Sequence, residues 1–276
     1  MSAEMSISEH INELRSRTLH IVLSIIVITI FSMSFGIRTF ELSSSLLFYY
    51  PYPDPLNNIA VQITSYMKDT LLPSQVKLIQ TAPGQAFFSQ IYISVLIGIV
   101  CSMPIIVKEI FGFISPAIDK QRRMKVGIVN VSIIPTISLF IFGIIFSYVL
   151  IIPFTLNFLY SYGQAIGVET FFNISDFISF VLQFLLAFGI AFELPVLMYT
   201  ISLTGIIDAR FWRNKFRYAV IVFVIFGAVI TPDGSGITMW LVAGPMILLY
   251  LLGMIFIKRK EDNKNKGIIT TEEEEE

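Results

Sequence analysis

The chain has 276 residues, 55% hydrophobic and 14% charged, with a formal net charge of −1. Soluble domains carry about 25% charged residues, so that class is excluded. Cys101 is the single cysteine and His10 and His20 the two histidines, which excludes an internal disulfide and argues against a metal site.

The apolar residues come in continuous runs too long for core helices, and they do not alternate as in an outer-membrane barrel. The expected fold is therefore an all-α, polytopic integral membrane protein. Ser8 to Arg17 reads as a polar helix, with Ser8 as its N-cap and Glu13 and Arg17 four apart on one face. The first span follows at about Leu19–Phe35. Residues 38–85 are expected outside the bilayer. Pro51, Pro53 and Pro55 break the early part, and a helix is expected over 58–72, where Ile59, Ile63, Met67 and Leu71 share a face.

The second span covers about Ala86–Phe113, with Pro104 inside, and the third about Val126–Ile152, with Pro135 inside. Between them lies a charged loop, Ser115–Lys125. Pro153–Asn173 is read as a mixed connection. Ser175 is the expected cap of a fourth span, about Asp176–Gly205, roughly 30 residues or about 45 Å of helix. A second charged loop, Ile206–Arg217, precedes a fifth span of only about 13 residues, Tyr218–Ile230. That is about 20 Å, short for a bilayer, so thinning or snorkelling is expected there. The sixth span is about Ile237–Ile257, broken by Gly244-Pro245. Residues 1–257 are thus expected to form one membrane domain, and 258–276 a charged, disordered tail ending in glutamates.

Six spans place the N-terminus, both charged loops and the tail on one side. Of the chain's 19 basic residues, all but Arg38, Lys68 and Lys77 then fall on that side. The asymmetry puts both termini in the cytoplasm.

Glu193 is the only ionisable residue in the run from about Phe177 to Leu203. An acid at that depth is expected to be neutral, able to donate and accept, facing a protein interior or a watery cavity. Pro195 frees a carbonyl one turn back and favours a kink.

The chemistry of catalysis is missing. There is no phosphate-binding glycine loop, no His-Glu-x-x-His, no second deep carboxylate, and no deep histidine or lysine. No enzyme activity, cofactor or nucleic-acid partner is expected. What remains is binding, through acids among bases at one membrane face and one acid within the membrane. A proton-coupled small-molecule transporter using Glu193 is the alternative, but no internal repeat of the transporter kind occurs.

Several stretches, in order along the chain, resemble the TatC family, the multispanning subunit of the twin-arginine protein translocase. They are His10-Ile11-Asn12-Glu13-Leu14-Arg15-Ser16-Arg17, Ala86-Phe87-Phe88, and Phe113-Ile114-Ser115-Pro116-Ala117-Ile118 followed by Arg122-Arg123. Phe188-Gly189-Ile190-Ala191-Phe192-Glu193-Leu194-Pro195-Val196 and Thr231-Pro232-Asp233 complete the set. The resemblance covers about residues 6–257. It implies recognition of Arg-Arg signal peptides and export of folded proteins with the proton-motive force. It also implies TatA-like and TatB-like single-span partners and a homo-oligomer in the assembled complex of the cell membrane. A di-arginine ligand calls for carboxylates placed for charge-assisted, bidentate hydrogen bonds. Glu13 matches the first of the family's acids. Gln121 stands where a loop glutamate is usual, and Asp119 and Glu109 are the acids available in its place. Arg17 is grouped with this signal-peptide site. Glu193 and Pro195 are expected to dock a partner helix on a concave, thinned face lined by kinked helices.

Overall fold

The computed structural model describes residues 7–43, 46–73, 75–114, 128–203, 207–231 and 235–273. Helix α1 (Ile7–Ser34) is continuous from the polar N-terminal stretch through the first apolar run. Ser8 therefore lies inside the helix and is not its cap. Where an irregular, proline-broken stretch was expected, the chain forms an antiparallel hairpin of β1 (Phe35–Ser43) and β2 (Leu46–Pro53), in register from Phe35 opposite Pro53. Pro51 and Pro53 are tolerated because β2 pairs on one side only.

Helix α2 (Ile59–Leu71) lies within the expected range. Asn58 caps it, its Oδ1 accepting from the Val61 N–H at 3.0 Å. Strand β3 (Lys77–Ile79) then leads to α3 (Gln85–Ile114), which contains Pro104. Helix α4 (Ile128–Phe146) contains Pro135 and passes through a π turn at Ser147–Ile151 into α5 (Ile152–Ala165). The expected mixed connection is thus largely helical. Pro153 cannot donate to Val149, and the ladder widens just before it.

Strand β4 (Phe171–Asn173) pairs in parallel with β3. The all-α expectation is corrected to a mostly helical chain with two small sheets. Helix α6 (Ile174–Phe192) opens one residue before Ser175; Asn173 Oδ1 accepts the Ser175 N–H at 2.9 Å and takes the capping role. Helix α7 (Leu194–Leu203) resumes after a break at Glu193. Helix α8 (Ala209–Ile230) takes in most of the expected charged loop, including Arg210, Arg213, Lys215 and Arg217. Helix α9 (Gly236–Glu273) runs through Pro245 and on into the charged tail.

Among the described residues five helical stretches are long and apolar enough to cross a membrane: Ile11–Ser34, Gln85–Phe113, Ile133–Ala165, Ile174–Ser202 and Gly236–Lys260. Helix α8 is not among them, because four cations occupy its first nine residues.

The chain forms two compact units, Met1–Ala117 with Tyr148–Leu186, and Ile118–Ser147 with Ala187–Glu276. In the first, α1 and α3 run antiparallel. Ser94 and Gly98, one turn apart, stand on the α3 side of that contact. A Cβ at Gly98 would stand 2.8 Å from the Ile25 carbonyl oxygen and 2.7 Å from Thr29 Oγ1. Thr29 Oγ1 donates to the Ser94 carbonyl at 3.3 Å. Small residues let membrane helices approach this closely. The opposite flank of α1, with Val22, Leu23, Ile26, Val27 and Ile30, is exposed. Beyond the helices, Arg38 Nη2 donates to Asp54 Oδ2 at 2.8 Å, which holds the Asp54 carboxyl below its usual range; the Asn57 N–H adds to this.

In the second unit, glycines again mark close approach. A Cβ at Gly227 would stand 2.7 Å from the Met239 carbonyl oxygen, joining α8 to α9, and one at Gly253 would stand 3.0 Å from Met198 Sδ, joining α9 to α7. Trp212 Nε1 donates to Ser202 Oγ at 2.9 Å, and Tyr250 Oη donates to the Trp212 carbonyl at 2.8 Å. These two bonds tie the start of α8 to α7 and α9.

Candidate functional site

The N-terminal end of α1 meets the C-terminal end of α3 in the first unit. Four side chains converge there. Arg17, one turn after Glu13, turns its guanidinium between Glu13 and Glu109. Nη2 donates to Glu13 Oε1 at 2.7 Å and Nε to the same oxygen at 3.0 Å. Nη1 donates to Glu109 Oε2 at 3.0 Å and reaches the Glu109 carbonyl at 3.5 Å. His20 Nδ1 lies 3.2 Å from Glu109 Oε1. The side chains are part-buried, 23% exposed for Glu13, 26% for Arg17 and 16% for Glu109, so water screens these bonds only in part. Glu13 Oε2 is buried and has no hydrogen-bond partner among the described residues.

Glycine at position 112 belongs to this arrangement and was not anticipated. A Cβ there would overlap Arg17 Nη1. Glu109 and Gly112 are three apart on α3, on the face turned to Arg17. The signal in the sequence was slight: one glycine near the end of an apolar run. The structure therefore brings Glu13, Arg17 and Glu109 together and adds His20 and Gly112. Asp119 and Gln121 lie outside the described residues.

Glu193 and Pro195 lie in the second unit, where α6 gives way to α7. Pro195 has no N–H to offer the Ala191 carbonyl, and the α-helical ladder lapses at Glu193. The Glu193 N–H turns to the Ile190 carbonyl at 3.1 Å, and its own carbonyl accepts from the Leu197 N–H at 2.9 Å. Glu193 is 8% exposed and its Oε1 has no hydrogen-bond partner among the described residues. Its carboxyl reaches the backbone of Phe140 on α4. Two glycines allow that approach. A Cβ at Gly143 would stand 2.5 Å from the Phe188 carbonyl oxygen, and one at Gly189 would stand 2.8 Å from the Phe140 ring. Phe142 and Phe146 pack on Phe192 with ring centroids 5.5 and 5.3 Å away. The acid thus sits in an aromatic wall, beside Ile190, which is 61% exposed.

No group of three or more histidine, cysteine or acidic side chains among the described residues could hold a metal ion. The arrangement is one of binding groups: two carboxylates holding a guanidinium, and a separate buried acid.

A profile of the family described as "Sec-independent protein translocase protein (TatC)" matches residues 9–245. The TatC protein of Cenarchaeum symbiosum is 49% identical over 259 residues, covering 94% of this chain and 97% of that one. The TatC protein of Aquifex aeolicus is 31% identical over 268 residues, covering 96% and 99%. A crystal structure described as "Twin Arginine Translocase Receptor- TatC" superposes with a TM-score of 0.72 at 26% identity, covering 91% of this chain and 98% of that one. With the apolar helices and the shared fold, these likenesses settle the relationship: the chain belongs to the TatC family, membrane-embedded, non-enzymatic components of the Sec-independent protein translocase.

Proposed function

We propose that this chain is the receptor and core subunit of a twin-arginine protein translocase. It binds Arg-Arg signal peptides, docks TatA-like and TatB-like single-span partners, and exports folded proteins with the proton-motive force. The observation that supports the reading most is the pair of carboxylates, Glu13 and Glu109, that already grips one guanidinium. Asp119 and Gln121, which follow α3 in the sequence, are proposed to complete the signal-peptide site. Glu193, at the break before Pro195, is the proposed docking point for a partner helix. The working complex is proposed to hold several copies of the chain.

The deciding experiment is site-specific crosslinking of a signal peptide to residues flanking Glu13, in membranes. Crosslinks are expected with the Arg-Arg peptide and loss of most of them with Lys-Lys, because an ammonium cannot bridge carboxylates as a planar fork does. Equal crosslinking of both peptides would count against the reading.

The proposed topology has six spans, α8 supplying the fifth, with both termini in the cytoplasm of a cell membrane and a concave face beside the short span. Helix α8 is 22 residues, about 33 Å, which suffices to span if its basic end lies at headgroup depth. Cysteines introduced at Lys68 and Gln164 are expected to react with an impermeant thiol reagent from outside, and one at Gln121 is not. Outside labelling at Gln121 would reverse the orientation.

A further inference from the structure

We propose that Arg17 is a built-in stand-in for the ligand: in the resting receptor its guanidinium fills the carboxylate site, and a signal-peptide arginine enters by displacing it. The inference rests on the receptor reading above and adds a regulation to that site.

Three features of the geometry carry it. Arg17 uses Nε, Nη1 and Nη2 together to engage both Glu13 and Glu109, which is the way a ligand guanidinium would be held. Gly112 leaves the gap into which Nη1 fits. Yet the fit is incomplete, since Glu13 Oε2 is buried without a partner among the described residues. A purely structural ion pair gains by satisfying both oxygens; this one leaves an acceptor spare.

Charge points the same way. Glu13 and Glu109 bring two negative charges and Arg17 one positive. At these two carboxylates taken alone, a twin-arginine segment, with two positive charges, is matched when Arg17 leaves. Leaving is easy for this residue. It stands on the part-exposed flank of α1, and a long arginine stem swings its head to water or to lipid headgroups without moving the helix. The resting contact then acts as a threshold. If the site is open a tenth of the time, apparent affinity is about tenfold below the intrinsic value. A single stray cation gains too little to open it, whereas two adjacent arginines do.

The test measures binding of a fluorescent Arg-Arg signal peptide to the full-length chain in detergent, by anisotropy. Arg17→Gln is expected to tighten binding about tenfold and to raise the on-rate. Gly112→Ala, which crowds Arg17 out while keeping every charge, is expected to tighten it in the same direction. Unchanged or weaker binding in both variants overturns the stand-in. If Arg17→Gln does not fold, Gly112→Ala decides together with phenylglyoxal labelling of the wild-type chain, mapped by mass spectrometry. Labelling of Arg17 is expected to rise when peptide is added, and a fall or no change overturns the proposal. The receptor reading is tested apart from this, with the Glu13→Ala, Glu109→Ala double variant. If that variant binds the peptide as wild type does, the site itself is wrong. If it loses binding while Arg17→Gln fails to tighten it, only the stand-in falls.

Discussion

Glu193→Ala is expected to abolish export while leaving signal-peptide affinity within about twofold of wild type. The buried Oε1 has no partner among the described residues, so under the proposed role this carboxyl is free to bond a polar side chain of an incoming helix. Hydrogen bonds between membrane helices are worth about 0.6–2 kcal/mol, or roughly 3–30-fold in docking. That range suits a partner that comes and goes. Glu193→Gln keeps an acceptor and a donor and is expected to retain much of the export. Crosslinking from Ile190, exposed beside the acid, to the small single-span subunit reads docking directly. Equal crosslinking in wild type and Glu193→Ala would remove the docking role. Loss of export in Glu193→Gln with docking intact would instead favour a proton-carrying role, as in the transporter alternative.

The second large effect is at the paired carboxylates. A hydrogen bond to a charged group contributes about 1.5–3 kcal/mol, and partial exposure at Glu13 and Glu109 places these toward the lower end. Glu13→Ala or Glu109→Ala alone is expected to weaken signal-peptide binding about tenfold, and the two together roughly a hundredfold if the sites act independently. Both variants should still reach the membrane at normal levels, because the α1–α3 contact through Ser94 and Gly98 is untouched. Wild-type affinity in the double variant would move the recognition site elsewhere, toward Asp119 and Gln121.

The apolar helices were legible because a membrane span needs a long unbroken run, and such runs cannot hide. The grip of Arg17 by Glu13 was half legible, since residues four apart on a helix face each other. The other half was not, because Glu109 lies 92 positions away and no local rule links the two. Gly112 was overlooked for a related reason: a glycine makes room, and the room is visible only when its occupant is known. The hairpin was missed because Pro51 and Pro53 demote any strand reading, although an edge strand tolerates both. In the sequence the basic stretch of α8 reads as loop, because its charge looks like a boundary. Helices do not end where charge begins; Asp208 opens this one, and its cations lie along its first turns. At Glu193 the proline predicted a disturbance but not its placement, because the lapse depends on which carbonyl the displaced N–H finds.

The unbroken course of α1 has a mechanical consequence. The helix is 28 residues, about 42 Å, and β1 follows it with no linker at Phe35. The ring of Phe31, in the last turn of the helix, stacks on Phe35 at 4.8 Å and stiffens the joint. The carboxylate end and the hairpin root are therefore two ends of one rod. A tilt of about 10° pivoting at one end would carry the other about 7 Å, given a helix of that length. Any ligand that leans on Glu13 pulls on a lever whose far arm is the hairpin.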